Sequence, residues 1–155
     1  MYFPTGCLLF RVMSQSVSLV VVDDDQLVAE CVGAICESLF GAEVLGFATN
    51  GEDGLALMER VRPQIALVDL CMPRLNGIEV ILEASQRHFA TRCIVLTGIP
   101  DEESFITAMR AGAAGYLLKT CAIDELPSAL QAVSEGKTYV TPRFRHALDH
   151  SITTS

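Results

Sequence analysis

The chain has 155 residues, 50% of them hydrophobic, and a formal net charge of -8. That length buries one self-sufficient core without a metal or disulfide staple, and the acidity argues against gripping a nucleic-acid backbone by charge. Six cysteines, at positions 7, 31, 36, 71, 93 and 121, form no C-x-x-C pair and are too sparse for a secreted disulfide scaffold, so they read as reduced thiols in a cytosol.

The opening MYFPTGCLLFRVM lacks a basic leader region, and its longest apolar run, Cys7 to Phe10, is far too short for a membrane span. Residues 1–17 are read as an extension ahead of the domain. From Ser18 the pattern alternates. Leu19 to Val22 is a continuous apolar strand closed by Asp23, Asp24 and Asp25, and Leu27, Val28, Cys31, Val32, Ile35 and Leu39 then repeat at helical spacing, with Asp25 as the cap. Glu43 to Ala48 predicts a second strand. Gly51 to Val61 predicts a helix that stops before Pro63.

Ile65 to Asp69 is the third strand, a buried-looking run that delivers one acidic residue into the turn of CMPRLNG. A helix over Gly77 to His88, a strand over Cys93 to Thr97 and a helix over Asp101 to Ala111 follow, then a strand over Gly115 to Leu118. The last helix spans about Asp124 to Ser134, with Pro127 in its first turn and Gly136 as its stop. Strands that are apolar throughout and alternate with helices predict a doubly wound α/β fold, a five-stranded parallel sheet with five helices. The domain is expected over 18–135, with a linker-like tail over 136–155.

Doubly wound sheets put ligand sites at the carboxyl ends of their strands. Those ends carry Asp23 and Asp24, Asp69, Thr97 and Lys119. Read alone, Asp69 is a turn cap, Thr97 a strand-end hydroxyl and Lys119 a surface lysine; together they form one site. Carboxylates about 5 Å apart repel by roughly 3 kcal/mol per pair at an effective dielectric of 20, so the cluster needs cations. Lys119 is one, and Mg²⁺, which tolerates few carboxylates and accepts phosphoryl oxygens, suits the remainder.

VVVDDDQLVAE, ALVDLCMPRLNGIEV, CIVLTG and GAAGYLLKT, with 45 residues from Asp24 to Asp69, 28 on to Thr97 and 22 on to Lys119, resemble the receiver domain of bacterial two-component response regulators. The resemblance covers about Ser18 to Ser134 and is nearest to the subfamily that usually carries a C-terminal LuxR-type helix-turn-helix, which is absent here. It implies a flavodoxin-like fold and a phosphoacceptor role for Asp69 toward a sensor histidine kinase. It implies Mg²⁺ held by Asp23, Asp24, Asp69 and the backbone carbonyl of Cys71, with Lys119 and Thr97 on the phosphoryl oxygens. The triple Asp allows two registers, and the family's pattern of an acidic pair, a cap, one residue and an apolar pair selects Asp23 and Asp24.

Phosphorylation adds roughly one to two negative charges. The resemblance implies that Thr97 moves toward them and vacates space for a switch aromatic, here Tyr116, although a tyrosine at that place is equally read as ordinary packing. The surface of helix four, strand five and helix five would repack for a partner or a homodimer formed on phosphorylation. Transcriptional output would come from a module outside this chain, with no direct nucleic-acid binding, no membrane contact and a cytoplasmic location.

Asp23 to Asp25 also imitates the Asp-x-Asp of haloacid dehalogenase phosphatases, but those want Thr or Val two residues later, where Leu27 stands. Gly98 and the Ile99-Pro100 pair depart from the receiver pattern beside Thr97. His88, His146 and His150 show no metal-ligand spacing and are expected on the surface.

Overall fold

The computed structural model describes residues 16–147, so the extension expected over 1–17 lies outside the described residues except for its last two, as do Cys7, His150 and the end of the tail. The elements are β1 (Ser18–Val22), α1 (Gln26–Phe40), β2 (Glu43–Ala48), α2 (Gly51–Val61), β3 (Ile65–Val68), α3 (Gly77–Gln86), β4 (Arg92–Thr97), α4 (Glu102–Ala111), β5 (Gly115–Leu118), α5 (Ala122–Ser134) and β6 (Tyr139–Val140). The sheet is parallel in the order β2-β1-β3-β4-β5-β6.

Strand residues alternate between two cores because successive side chains leave opposite faces of the pleat. Val20, Val22, Ala66, Val68 and Val95 meet Leu57, Val80, Ile81 and Phe105 on the α2–α4 face. Leu19, Val21, Ile65, Leu67 and Ile94 meet Ala29, Val32, Leu126 and Leu130 on the α1 and α5 face. Burial on both faces explains why these strands read as unbroken apolar runs.

Helix entries follow their capping residues. Asp25 accepts from Val28 N, Asn50 from Asp53 N and Asp101 from Glu103 N and Ser104 N. Asn76 and Glu79 form a capping box at α3. Gly41 and Gly112 take left-handed conformations that close α1 and α4.

Apart from end shifts such as α3 stopping at Gln86 short of His88 and β3 at Val68 short of Asp69, the structure differs from the sequence expectation in two places. A 3₁₀ turn at Lys119–Cys121 runs straight into α5, which starts at Ala122 rather than near Asp124 and leaves Pro127 in the second turn instead of the first. The sheet also carries a sixth strand beyond the expected five. Tyr139 N donates to Ala114 O at 3.1 Å and Thr141 N to Tyr116 O at 3.0 Å, which occupies the edge that β5 would leave open.

Cys36 and Cys93 are buried core residues, and burial pushes both thiols up to about 12. Cys31 and Cys71 are exposed. An aromatic disulfide reagent at pH 8 is expected to label Cys31 and Cys71 in the folded protein and to reach Cys36 and Cys93 only after denaturant is added. Equal labelling rates at all four, read by peptide mass mapping, would contradict this packing.

Candidate functional site at the strand ends

The sheet order reverses between β1 and β3, and the crevice there is the topological switch point of the fold. Val22 pairs with Ala48 on one side and Val68 on the other. Asp23 N donates to Ala48 O at 3.0 Å, and Asp69 N to Val22 O at 2.9 Å. These bonds carry the ladder one residue past each strand, so Asp23 and Asp69 leave the sheet at the same height.

The expected carboxylates converge. Asp23, Asp24 and Asp69 each offer an oxygen within 4.8 Å of the others; Asp23 is 3% and Asp69 7% exposed, whereas Asp24 is open to solvent. Asp25 is not among them, because its carboxylate is the α1 cap. Asp23 is itself committed, with Oδ1 accepting from Asp25 N at 2.9 Å and Oδ2 lying 2.8 Å from Lys119 Nζ.

Lys119 reaches the cluster from the 3₁₀ turn after β5 and also lies 3.4 Å from Asp69 Oδ2. Burial works against its ammonium, but the hydrogen bond to Asp23 and the charges of Asp69 and Asp23 outweigh that and hold its pKa above the ordinary lysine value. Asp69 is pushed the other way from an ordinary ion-paired carboxylate. Burial raises its pKa, Lys119 lowers it, Asp23 raises it, and the net is upward. One ammonium faces three carboxylates, and the all-oxygen donor set fits a hard divalent cation.

Thr97 is fully buried at the end of β4, its Oγ1 accepting from Ile99 N at 3.2 Å. It pairs in register with Leu118, the residue before Lys119. Cys71 is exposed in the loop after Asp69 and borders, with Asp24, Met72, Asn76, Ile78 and Ser104, an open depression of about 580 Å³ beside the carboxylates. A Cβ at Gly98 would meet nothing within 4 Å, so that departure from the receiver pattern leaves room. His88 and His146 are exposed, and neither belongs to the converging group of Asp23, Asp24 and Asp69.

Tyr116 lies inside the protein, with no exposed surface and a hydroxyl that has no hydrogen-bond partner among the described residues. Its ring stands edge-on to Phe105 at 5.1 Å and to Phe144 at 5.5 Å, while Phe105 and Phe144 stack at 5.1 Å. Sequence reasoning passed over Phe105 and Phe144. The signal for the latter was the apolar spacing of Val140, Phe144 and Ala147 inside a stretch that otherwise reads as polar linker.

The loop carrying Asp69 is braced from below by Gly77, whose N–H donates to Leu70 O at 3.0 Å. A Cβ there would press on the carbonyl oxygen of Asp69 and stand 2.8 Å from Leu70 Cα. Gly77→Ala is expected to cost on the order of 1–3 kcal/mol by forcing backbone apart. The check is the urea midpoint, and an unshifted value would show that the loop gives freely.

Comparison with known proteins agrees with this geometry. The model of the response regulator receiver domain matches residues 19–131. The chain is 34% identical over 139 residues to the transcriptional regulatory protein DegU of Brevibacillus brevis, covering 89% of this chain and 58% of that one. It is 32% identical to the response regulator GacA of Pseudomonas aeruginosa, over 85% of this chain and 62% of the relative, so it spans about three fifths of the length of these curated relatives. The signal receiver domain of the response regulator NarL from Mycobacterium tuberculosis superposes with a TM-score of 0.74 at 31% identity, over 79% of this chain and 98% of that one. A LuxR-family two-component response regulator from Aurantimonas superposes with a TM-score of 0.81 at 25% identity, over 89% and 99%. On the match over residues 19–131 and these likenesses, the chain belongs to the response regulator receiver domains of two-component signalling, with homologues among the LuxR- and NarL-type regulators.

Proposed function

We propose that Asp69 is the phosphoacceptor of this receiver domain and that a sensor histidine kinase is its donor. The observation that carries the reading is the meeting of a buried Asp69 with Asp23, Asp24 and the ammonium of Lys119 at one rim of the sheet. An Asp69 carboxylate oxygen attacks phosphorus and forms a P–O bond. The bond from phosphorus to the donor breaks, and its electron pair leaves with the imidazole of a phosphohistidine or the carboxylate of an acyl phosphate.

Asp23, Asp24, Asp69 and the Cys71 carbonyl would hold Mg²⁺, which neutralises phosphoryl charge when bound. Asp24 has the freest carboxylate, since Asp23 is already engaged by Lys119 and Asp25 N. Lys119 holds a second phosphoryl oxygen and the Thr97 hydroxyl donates to a third. The product is a labelled protein rather than a released compound, so the domain is a signalling device and not a turnover enzyme on an external substrate. Its setting is the cytoplasm, and among the described residues no helix is long and apolar enough to cross a membrane. Regulation of transcription, as the name of DegU indicates for that relative, and a homodimer of the phosphorylated form are the outputs this reading carries.

The test is to mix the protein with a small acyl phosphate and Mg²⁺ and measure its intact mass. One phosphoryl group is expected on the wild type and none on Asp69→Asn. Repeated turnover of a phosphate monoester would sink the assignment in favour of phosphatase chemistry, and full labelling of Asp69→Asn would sink it in favour of another acceptor residue.

A further inference from the structure

The stretch after α5 reads as linker, yet Val140 is 4%, Phe144 2% and Ala147 2% exposed, all in the core on the α4 side of the sheet. The segment is fastened to both helices that flank β5. Tyr139 Oη donates to Glu125 Oε1 at 3.0 Å and Thr141 Oγ1 to Glu125 Oε2 at 2.9 Å, both on α5. His146 lies 3.7 Å from Glu102 on α4, and Arg145 Nε donates to Val140 O at 2.9 Å. Phe144 makes two of the three aromatic contacts in the Phe105–Tyr116–Phe144 cluster.

We propose that residues 139–147 are a tethered ligand of this face, with Phe144 as the positioning residue that holds the Tyr116 ring inward. Docking of the segment and occupation of Asp69 by a phosphoryl group then favour one another. This rests on Asp69 being the phosphoacceptor.

The balance at Tyr116 carries the argument. A buried hydroxyl with no partner among the described residues bears a desolvation cost that an outward ring would escape by meeting water. The inward ring persists because its edge-on contacts with Phe105 and Phe144 offset that cost. Without the Phe144 ring the balance tips outward. Tyr116 pairs with Val95 on β4, two residues before Thr97 on the same strand. Thr97 and Val95 leave the same face of β4, so the Thr97 side chain and the Tyr116 ring border one volume, and a Thr97 drawn to a phosphoryl oxygen leaves more of that volume to the inward ring. Coupling between two such equilibria is reciprocal: what stabilises the docked segment must tighten the phosphoryl group, and the converse.

Beryllofluoride with Mg²⁺ occupies phosphoryl positions without a covalent step and gives the equilibrium constant directly. In the wild type, its addition is expected to slow hydrogen exchange at the Tyr139 and Thr141 amides by about tenfold. Phe144→Leu, which keeps apolar volume but no ring, is expected to bind beryllofluoride about tenfold more weakly and to lose most of the slowing. Unchanged or faster exchange in a wild type that does bind beryllofluoride overturns the tethered-ligand proposal, and so does equal affinity in Phe144→Leu. A wild type that neither binds beryllofluoride nor gains a phosphoryl group overturns the phosphoacceptor reading instead. The exchange measurement needs no variant, so a poorly folding Phe144→Leu leaves the decision intact.

Discussion

Lys119→Met is expected to destabilise the metal-free protein by about 3 kcal/mol at pH 7.5, and saturating Mg²⁺ is expected to restore most of that loss. The ammonium lies 2.8 Å from Asp23 and 3.4 Å from Asp69, two carboxylates that are almost fully buried. Removing it leaves like charges within 4.8 Å of each other and, among the described residues, no counter-charge paired with them. At an effective dielectric of 20 such a pair repels by roughly 3.5 kcal/mol, and Asp24, which faces solvent, adds little because water screens it. A divalent ion held by the same three carboxylates would supply the missing charge.

The same reasoning gives Asp69→Asn the opposite sign, since it deletes a repelling charge and leaves Lys119 paired with Asp23. The double variant Lys119→Met, Asp69→Asn should therefore recover stability without metal. Urea unfolding of the four proteins, each with and without Mg²⁺, decides the matter. A Lys119→Met midpoint equal to the wild type in the absence of metal would mean that the carboxylates are hydrated and do not interact as a cluster.

The site was legible in the sequence because each of its members sits at a strand end, and strand ends are where apolar runs stop. Val22 and Val68 end their strands in register, as do Thr97 and Leu118, and Thr97 lies only two residues past Val95, the partner of Val68, so residues 45, 28 and 22 positions apart along the chain become neighbours. For the triple Asp the pattern set Asp25 as the cap and Asp23 and Asp24 as the pair. In the structure the Asp25 carboxylate accepts from Val28 N, and the cluster is made by its two predecessors with Asp69.

What stayed illegible was short or shared between distant segments. β6 has two residues, too few to display a period. Its strand character is lent by the unpaired edge of β5, and its anchoring lies in Glu125, a residue that reads as an ordinary solvent-facing helix position. The inward Tyr116 was undecidable for the same reason, because the ring that holds it comes from residue 144, beyond the last recognisable helix.

Phe144→Ala should accordingly behave as a core deletion and not as a linker substitution, with a loss of about 3–5 kcal/mol. The side chain is 2% exposed and stacked on Phe105, whose own ring has no exposed surface. Its removal opens a void that neither Phe105 nor Tyr116 can close without leaving the positions their strands and helices assign. Phe47→Ala on β2 supplies the contrast, since that ring is already 41% exposed and its truncation is expected to cost clearly less. Equilibrium unfolding at 25 °C ranks the two. If Phe144→Ala lost less than about 1 kcal/mol, the order-of-magnitude expectation for a side chain half in water, the segment would be a loose tail and β6 an incidental pairing. A loss of the expected size makes residues 139–147 part of the fold, and places an element of the domain's cooperative core immediately beside Tyr116.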